Sequence, residues 1–287
     1  MTIQEARKDL QHKLSSIYSS SEPDRITEWV IESVSGKNRS ETILDKNQEL
    51  TTAQKDRLAA VEKRLLQHEP VQYVLNEAWF CNVKFYVDNN VLIPRPETEE
   101  LIEWIISNLK FPFEKLKILD VGSGSGCIAI SLKRKLRKAE VWSCDISNDA
   151  LLVAKKNSDT LNADVRYFQL DFLHEEERNR LPVFDIIVSN PPYVPQKDKE
   201  QMDPNVLNYE PHVALFVPDN DPLMFYKAIA EFAKGHLDEK GSIFLELHEV
   251  YAESTREFYE TKNYKTELKR DMQGKNRMMH ANKRYFS

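Results

Sequence analysis

The chain has 287 residues, enough for a sizeable core and, by length, two domains. Its composition is that of an ordinary globular protein, and a net charge of −6 excludes a global basic field that draws in nucleic acid. No apolar run approaches the ~20 residues of a membrane span, no charged start leads into a signal-peptide core, and Cys81, Cys127 and Cys144 lack paired metal spacing, so the expected setting is the reducing cytoplasm, without membrane or metal.

Residues 1–75 read as a helical domain. Ile3, Ala6, Leu10, Leu14 and Ile17 recur at helical spacing. Ser21-Glu22-Pro23-Asp24 opens a second helix carrying Ile26, Trp29, Val30 and Val34, stopped near Gly36. A short segment follows at 41–45. Thr51-Thr52-Ala53-Gln54 then starts a helix with Leu58, Val61, Leu65 and Leu66 on one face. Residues 1–80 hold 11 Lys/Arg against 13 Asp/Glu, so this module shows no basic nucleic-acid-binding signature. It either recognises a partner or braces the rest. Residues 76–93 turn β-rich. The runs 79–87 and 91–93 predict a β-hairpin linker bridging two domains, with Asp88-Asn89-Asn90 as its turn.

The domain from 94 to 287 opens on Pro94-Arg95-Pro96-Glu97-Thr98. Its prolines hold the chain extended, and Pro96 suits entry into a helix over 99–109. Arg95 is part of a plain linker or a wall of a cofactor pocket. Strands are predicted at 117–121, 140–145, 165–170, 184–189 and 242–247, alternating with helices; 264–270 and 277–281 make a last pair around Gly274. The expected fold is α/β: a doubly wound, mostly parallel, seven-stranded Rossmann-like sheet. Residues 260–287 hold eight Lys/Arg and three Asp/Glu, either a solvated face or a docking patch for an anionic partner.

Chemistry gathers at the strand ends, where open α/β sheets bind ligands. After the first strand comes Gly122-Ser123-Gly124-Ser125-Gly126, whose alternate glycines let the backbone turn sharply and approach a ligand. The spacing departs from the dinucleotide fingerprint G-x-G-x-x-G, which disfavours a nicotinamide site. Asp145 ends the next strand, placed to accept from both hydroxyls of a ribose. Asp171 and Phe172 end the third, a carboxylate and a ring that can hold an adenine. The apolar run 184–189 stops at Asn190-Pro191-Pro192-Tyr193. Two prolines cannot donate to a ladder, so this end is rich in acceptors beside the Tyr193 ring. Such a site suits a planar –NH2 group; a proline-terminated strand with a buried Tyr is the alternative.

This order of glycine loop, ribose acid, adenine shelf and Asn-Pro-Pro-Tyr resembles the S-adenosylmethionine methyltransferases that methylate amino groups. More closely, the chain is similar to the HemK/PrmC-type protein-(glutamine-N5) methyltransferases of peptide chain release factors. The likeness spans nearly the whole chain. It rests on Glu69-Pro70-Val71-Gln72-Tyr73, Val91-Leu92-Ile93-Pro94-Arg95-Pro96-Glu97-Thr98-Glu99, Asp120 to Gly126, Ser189 to Tyr193, Tyr209-Glu210-Pro211 with Ala214-Leu215, and Asp271-x-x-Gly274-x-x-Arg277. The family's usual glycine after Gln-Tyr is Asn76 here, glycines after Ala-Leu give way to Val217-Pro218-Asp219-Asn220, and Leu-Glu-Ile-Gly becomes Leu245-Glu246-Leu247-His248.

The resemblance implies S-adenosyl-L-methionine as cofactor, leaving S-adenosyl-L-homocysteine, and class I release factors as partners. It implies that Gly122, Ser123, Gly124, Ser125 and Gly126 line the cofactor's methionine and ribose, Asp145 binds the ribose hydroxyls, and Phe172 contacts the adenine. Asn190 touches cofactor and substrate, and Asn190, Pro191, Pro192 and Tyr193 hold the target amide, with Asn190, Pro191 and Tyr193 as the catalytic set. The expected reaction is one in-line displacement that needs no strong base, so Glu246 and His248 are read as structural, with a catalytic role as the alternative. Residues 1–75 become the substrate-recognition domain. A nucleic-acid amino-methyltransferase acting on adenine N6 or guanine N2 is the alternative, disfavoured by the acidic balance.

Overall fold

The structure, a computed structural model, describes residues 1–18, 21–109 and 115–284, and the chain divides into two compact units. The first comprises Met1–Glu77 and Asp203–Tyr209. Its helices are α1 (Ile3–Leu14), α2 (Glu22–Ser35), α3 (Arg39–Leu44), α4 (Thr52–Leu65) and α5 (Val71–Leu75). Capping boxes start three of them: Thr2 with Glu5, Asn38 with Glu41, and Thr51 with Gln54, each satisfying backbone N–H groups that the first turn leaves free. Gly36 closes α2 in the left-handed conformation, and Asn76 closes α5 at φ 55°. Asn tolerates that region best after Gly, so Asn76 can take a left-handed cap position that also suits a glycine. Ile3, Leu10, Val30, Val34, Leu58 and Leu65 form the core.

The second unit holds the rest, from Ala78 to Met202 and from Glu210 on. It begins with a hairpin, β1 (Ala78–Phe80) against β2 (Val83–Phe85). The expected turn at 88–90 is corrected here. Cys81 (φ 48°) and Asn82 (φ 61°) form the two-residue turn. Successive left-handed residues match the strand twist. Asp88-Asn89-Asn90 does form a turn, closed by the Val91 N–H donating to the Asp88 carbonyl at 3.1 Å, but it lies beyond the hairpin, and 91–93 is not a strand. Helix α6 (Pro96–Asn108) follows. Then come β3 (Lys117–Val121), α7 (Cys127–Lys135), β4 (Glu140–Asp145), α8 (Asn148–Leu161), β5 (Val165–Gln169), α9 (Glu175–Arg178), β6 (Phe184–Ser189), β7 (Val194–Pro195), α10 (Pro204–Tyr209, within the first unit), β8 (Phe216–Val217), α11 (Met224–His236), β9 (Leu237–Glu246), α12 (Ala252–Thr261), β10 (Tyr264–Arg270) and β11 (Asn276–Lys283).

The main sheet has seven strands in the order β10-β11-β9-β6-β3-β4-β5, parallel except that β11 runs against both neighbours. The central strands β3 and β6 and the end of β9 are buried without alternation because both their faces are covered, whereas the edge strands β5 and β10 carry polar residues. Ile118, Ile186 and Phe244 pack on one side with Leu101, Ile105 and Ile128; Leu119, Ile187 and Ile243 pack on the other with Ile229, Phe232 and Tyr259. Strand β9 starts at Leu237, earlier than the expected 242, with a break in register between Phe184↔Leu237 and Ile186↔Ser242. Gly241 belongs to that irregularity. A Cβ there would sit 2.7 Å from Leu237 Cδ1 and 3.0 Å from the Asp185 carbonyl. Val194 and Pro195 pair with Phe216 and Val217 in a small parallel ladder that the sequence reading did not foresee.

Chain order reverses at β3 and β6: β4 and β5 lie on one side, β9 on the other. The ends of β3 and β6 therefore flank the topological switch point, where a crevice opens in this class of sheet.

Candidate functional site

The glycine loop leaves β3 at Gly122 (φ 87°), and the Gly122 and Ser123 N–H groups both donate to the Cys144 carbonyl at 2.9 Å. A Cβ on Gly122 would lie 3.9 Å from the Asn190 carbonyl oxygen, so the two strand ends approach backbone to backbone. Gly126 does a different job. At φ 80° it starts α7, and a Cβ would meet Ile130 Cδ1 and Tyr167 Oη at 3.0 Å.

Below the loop, Ser123 Oγ meets Ser143 Oγ at 2.5 Å, and Ser143 donates to Asp120 Oδ2 at 2.9 Å. Asp120 is fully buried, and burial pushes its carboxyl up to about 8. Asp145, at the end of β4, accepts from the Gly124 N–H through Oδ2 and from the Ser147 N–H through Oδ1, each at 2.9 Å. Burial raises its carboxyl, and those N–H bonds partly offset the rise. Phe172 packs edge-on against Phe232, 5.2 Å between centroids, with the Arg178 guanidinium 5.9 Å from its ring. Asp171 Oδ1 accepts from the Leu173 N–H at 2.9 Å.

At the end of β6, Ser189 Oγ donates to the Val121 carbonyl at 2.6 Å, tying the two strand ends together. Asn190 Nδ2 donates to Thr98 Oγ1 at 3.2 Å. Thr98 Oγ1 donates to Glu246 Oε2 at 2.6 Å, and Tyr193 Oη donates to Glu246 Oε1 at 3.2 Å. Glu246 is 1 % exposed, and burial raises its carboxyl against the opposing pull of Thr98, Tyr193 and Arg277. Arg277 donates to the Leu247 carbonyl at 3.2 Å and pairs with Asp271, whose Oδ1 also accepts from Gln273 and Lys275 in the β10–β11 turn. Arg95 pairs with the buried carboxylate of Glu210 at 2.5 Å, whose other oxygen accepts from the Ile93 N–H.

These residues surround one cavity of about 320 Å³. Gly122, Ser123, Gly124, Ser125, Asp145, Phe172, Asn190, Pro191 and Pro192 line it, so these predicted residues come together. Arg95 lines it as well and is thus a wall rather than a linker. Gly126 and Tyr193 are not in its lining. Gly126 packs α7, and the Tyr193 hydroxyl turns to Glu246 while its ring meets His248 edge-on at 5.7 Å.

The sequence reading gave Thr98 no role and took Glu246 as structural. A carboxylate inside the apolar run 243–247 is itself a signal, because buried charge is rare unless it is partnered. Leu92, Pro94, Ile146, Val213 and Phe225 complete the walls without any such signal.

Comparison with known proteins agrees with this geometry. Residues 5–75 match the family model of the PrmC N-terminal domain, and residues 99–208 that of the Methyltransferase small domain. The chain is 42% identical to the release factor glutamine methyltransferase of Flavobacterium psychrophilum, over 98% of this chain and 99% of that protein. To the protein of that name from Bacteroides thetaiotaomicron it is 36% identical, over 96% of this chain and 98% of the other. Among solved structures, the METTL16 MTase domain aligns with a TM-score of 0.51 at 15% identity, covering 69% of this chain and 86% of that one, a likeness of fold.

Proposed function

The chain belongs to the release factor glutamine methyltransferase family, and from that premise we propose that it methylates the side-chain amide nitrogen (N5) of a glutamine in a class I peptide chain release factor. S-adenosyl-L-methionine, when bound, supplies an electrophilic methyl group on a sulfonium and leaves as S-adenosyl-L-homocysteine. One observation carries the reading: the glycine loop after β3 and Asn190-Pro191-Pro192 after β6 share one cavity at the switch point of the sheet.

The cavity fits such a cofactor. Its volume of about 320 Å³ lies in the range of small-molecule sites. Asp145 brings a carboxylate to the cavity wall that can accept from a pair of hydroxyls, and Phe172 offers an apolar wall. A Cβ on Gly124 would meet nothing within 4 Å, so the loop leaves room for a ligand against its backbone.

On the substrate side, an amide nitrogen is a weak nucleophile because its lone pair is delocalised. Asn190 Oδ1 and the Pro191 carbonyl accept from the –NH2 group, orient it, and stabilise the positive charge that grows on nitrogen. The nitrogen then gives its proton to water. Tyr193, anchored through Glu246, braces the wall behind. The helical unit, matched over 5–75, grips the release factor away from the methylated loop, and the reaction runs in the cytoplasm where release factors work. The test is incubation with labelled S-adenosyl-L-methionine and, separately, release factor, DNA and ribosomal RNA. Label on the release factor supports the reading, provided a Gln→Glu change at the acceptor abolishes it. Label on nucleic acid overturns it in favour of a base amino-methyltransferase.

A further inference from the structure

We infer that Thr98 and Glu246 are positioning residues that decide which end of the Asn190 amide faces the cavity. The inference rests on the activity proposed above, because only an acceptor at that place can receive a substrate –NH2.

Glu246 closes β9 deep in the unit, and its two oxygens face two hydroxyls, Thr98 at 2.6 Å and Tyr193 at 3.2 Å. A carboxylate only accepts, so both hydroxyls donate to it. A hydroxyl has one proton. Once Thr98 has given that proton to Glu246, its oxygen offers only lone pairs on its other side. The amide atom of Asn190 that lies 3.2 Å from it must then be the –NH2. The carbonyl end, Oδ1, is left for the cavity, beside Pro191, which has no N–H. A flipped amide would set oxygen against oxygen at Thr98 and donor against donor at the substrate. The relay joins residues far apart in sequence, Thr98 to Glu246 across 148 positions and Asn190 to Thr98 across 92.

The cost of this arrangement points the same way. A carboxylate 1 % exposed is expensive to desolvate, and an apolar side chain would fill that strand end at less cost. Arg277, the cation whose charge opposes the rise of the Glu246 carboxyl, is already bonded to Asp271 and the Leu247 carbonyl. The carboxylate thus has a job beyond packing. It fixes the hydroxyl of Thr98 and, through it, the amide of Asn190, while its second oxygen fixes Tyr193 of the same tetrapeptide.

The test is a double-mutant cycle. Thr98→Val keeps the shape of the side chain and removes the hydroxyl. It should lower kcat by about 10–100-fold, the scale on which groups orienting a working side chain act, with KM for the release factor nearly unchanged. Thr98→Ser keeps the hydroxyl and should recover most of the rate. In an Asn190→Ala background, Thr98→Val should cost nothing further, because nothing remains to orient. A second readout needs no cofactor. In 15N-labelled protein, the Asn190 –NH2 signals, assigned by their loss in Asn190→Ala, should shift in Thr98→Val and stay in place in Thr98→Ser. Glu246→Gln gives an independent arm, since its amide oxygen still accepts from Thr98 and should retain far more activity than Glu246→Leu.

An equal loss from Thr98→Val with and without Asn190 would overturn the proposal, as would unmoved Asn190 signals. Failure of the underlying activity looks different. A wild-type enzyme that labels nucleic acid refutes the glutamine reading, and the same cycle on that acceptor still decides whether Thr98 acts through Asn190.

Discussion

Asp145→Ala separates the loop-holding role of one carboxylate from the ribose-binding role proposed for it. In the structure its oxygens accept from the Gly124 and Ser147 N–H groups at 2.9 Å, and they also line the cavity. Alanine removes both bonds. At about 1 kcal/mol net each, and with water able to reach the cavity side, stability should fall by about 1–2 kcal/mol. For a chain of this size that lowers Tm by a few degrees. The bonds to the ligand are charge-assisted and worth about 1.5–3 kcal/mol together, so S-adenosyl-L-methionine should bind roughly 10- to 100-fold more weakly. Asp145→Asn should do no better, because its –NH2 must face one of the two backbone donors. Calorimetric titration with S-adenosyl-L-homocysteine and a thermal melt of the free protein give the two numbers separately. A melt lowered as expected with affinity within twofold of wild type would mean that Asp145 holds only the loop, and would refute the ribose assignment.

Three more outcomes are expected. Gly126→Ala forces a side chain into a left-handed residue and sets its Cβ 3.0 Å from Ile130 Cδ1 and Tyr167 Oη, so urea unfolding should show a loss of about 2–5 kcal/mol; under about 1 kcal/mol would refute the packing role. Asp120, pushed up to about 8 from an ordinary 3.8, keeps its proton in the native state where the unfolded chain has released it. Stability therefore falls as pH rises from about 4 to about 8, and Asp120→Asn should remove that slope. A difference in urea midpoints between the two proteins that stays flat across this window would mean that Asp120 ionises normally. Removing residues 1–77 together with 203–209 should spare cofactor binding and abolish methylation of the release factor, whereas a full rate would reduce the helical unit to a brace.

The seven strands and the glycine loop were legible because their signals are local. Continuous apolar runs report strands covered on both faces, and glycines and prolines mark where they stop. The hairpin turn was misplaced because Asp88-Asn89-Asn90 is the richer turn composition, whereas Cys81-Asn82 takes the left-handed pair. Partners set by topology left no local trace. Arg95 and Glu210 meet across 115 positions, and Thr98 and Glu246 across 148. The membership of Asp203–Tyr209 in the helical unit was likewise invisible, since nothing in that stretch differs from a loop of the second unit. Tyr193 carried an aromatic signal next to Asn190, but its hydroxyl follows Glu246 rather than the cavity.

The helical unit includes α10, where the Tyr209 hydroxyl donates to the Gln67 carbonyl at 2.6 Å. The very next residue, Glu210, belongs to the other unit and holds Arg95. A ribosome delivers these pieces in sequence order. Residues 78–202, 125 in all, are synthesised between the first piece of the helical unit and its last helix. At roughly 5–20 residues per second this delay lasts about 6–25 s. The unit begun first is thus completed only when 209 of the 287 residues exist, after the glycine loop, Asp145 and Asn190 have all been synthesised. A chain cut short before residue 203 lacks part of both units, and the bundle is completed at residue 209, while β9, β10 and β11 of the sheet are still to be made.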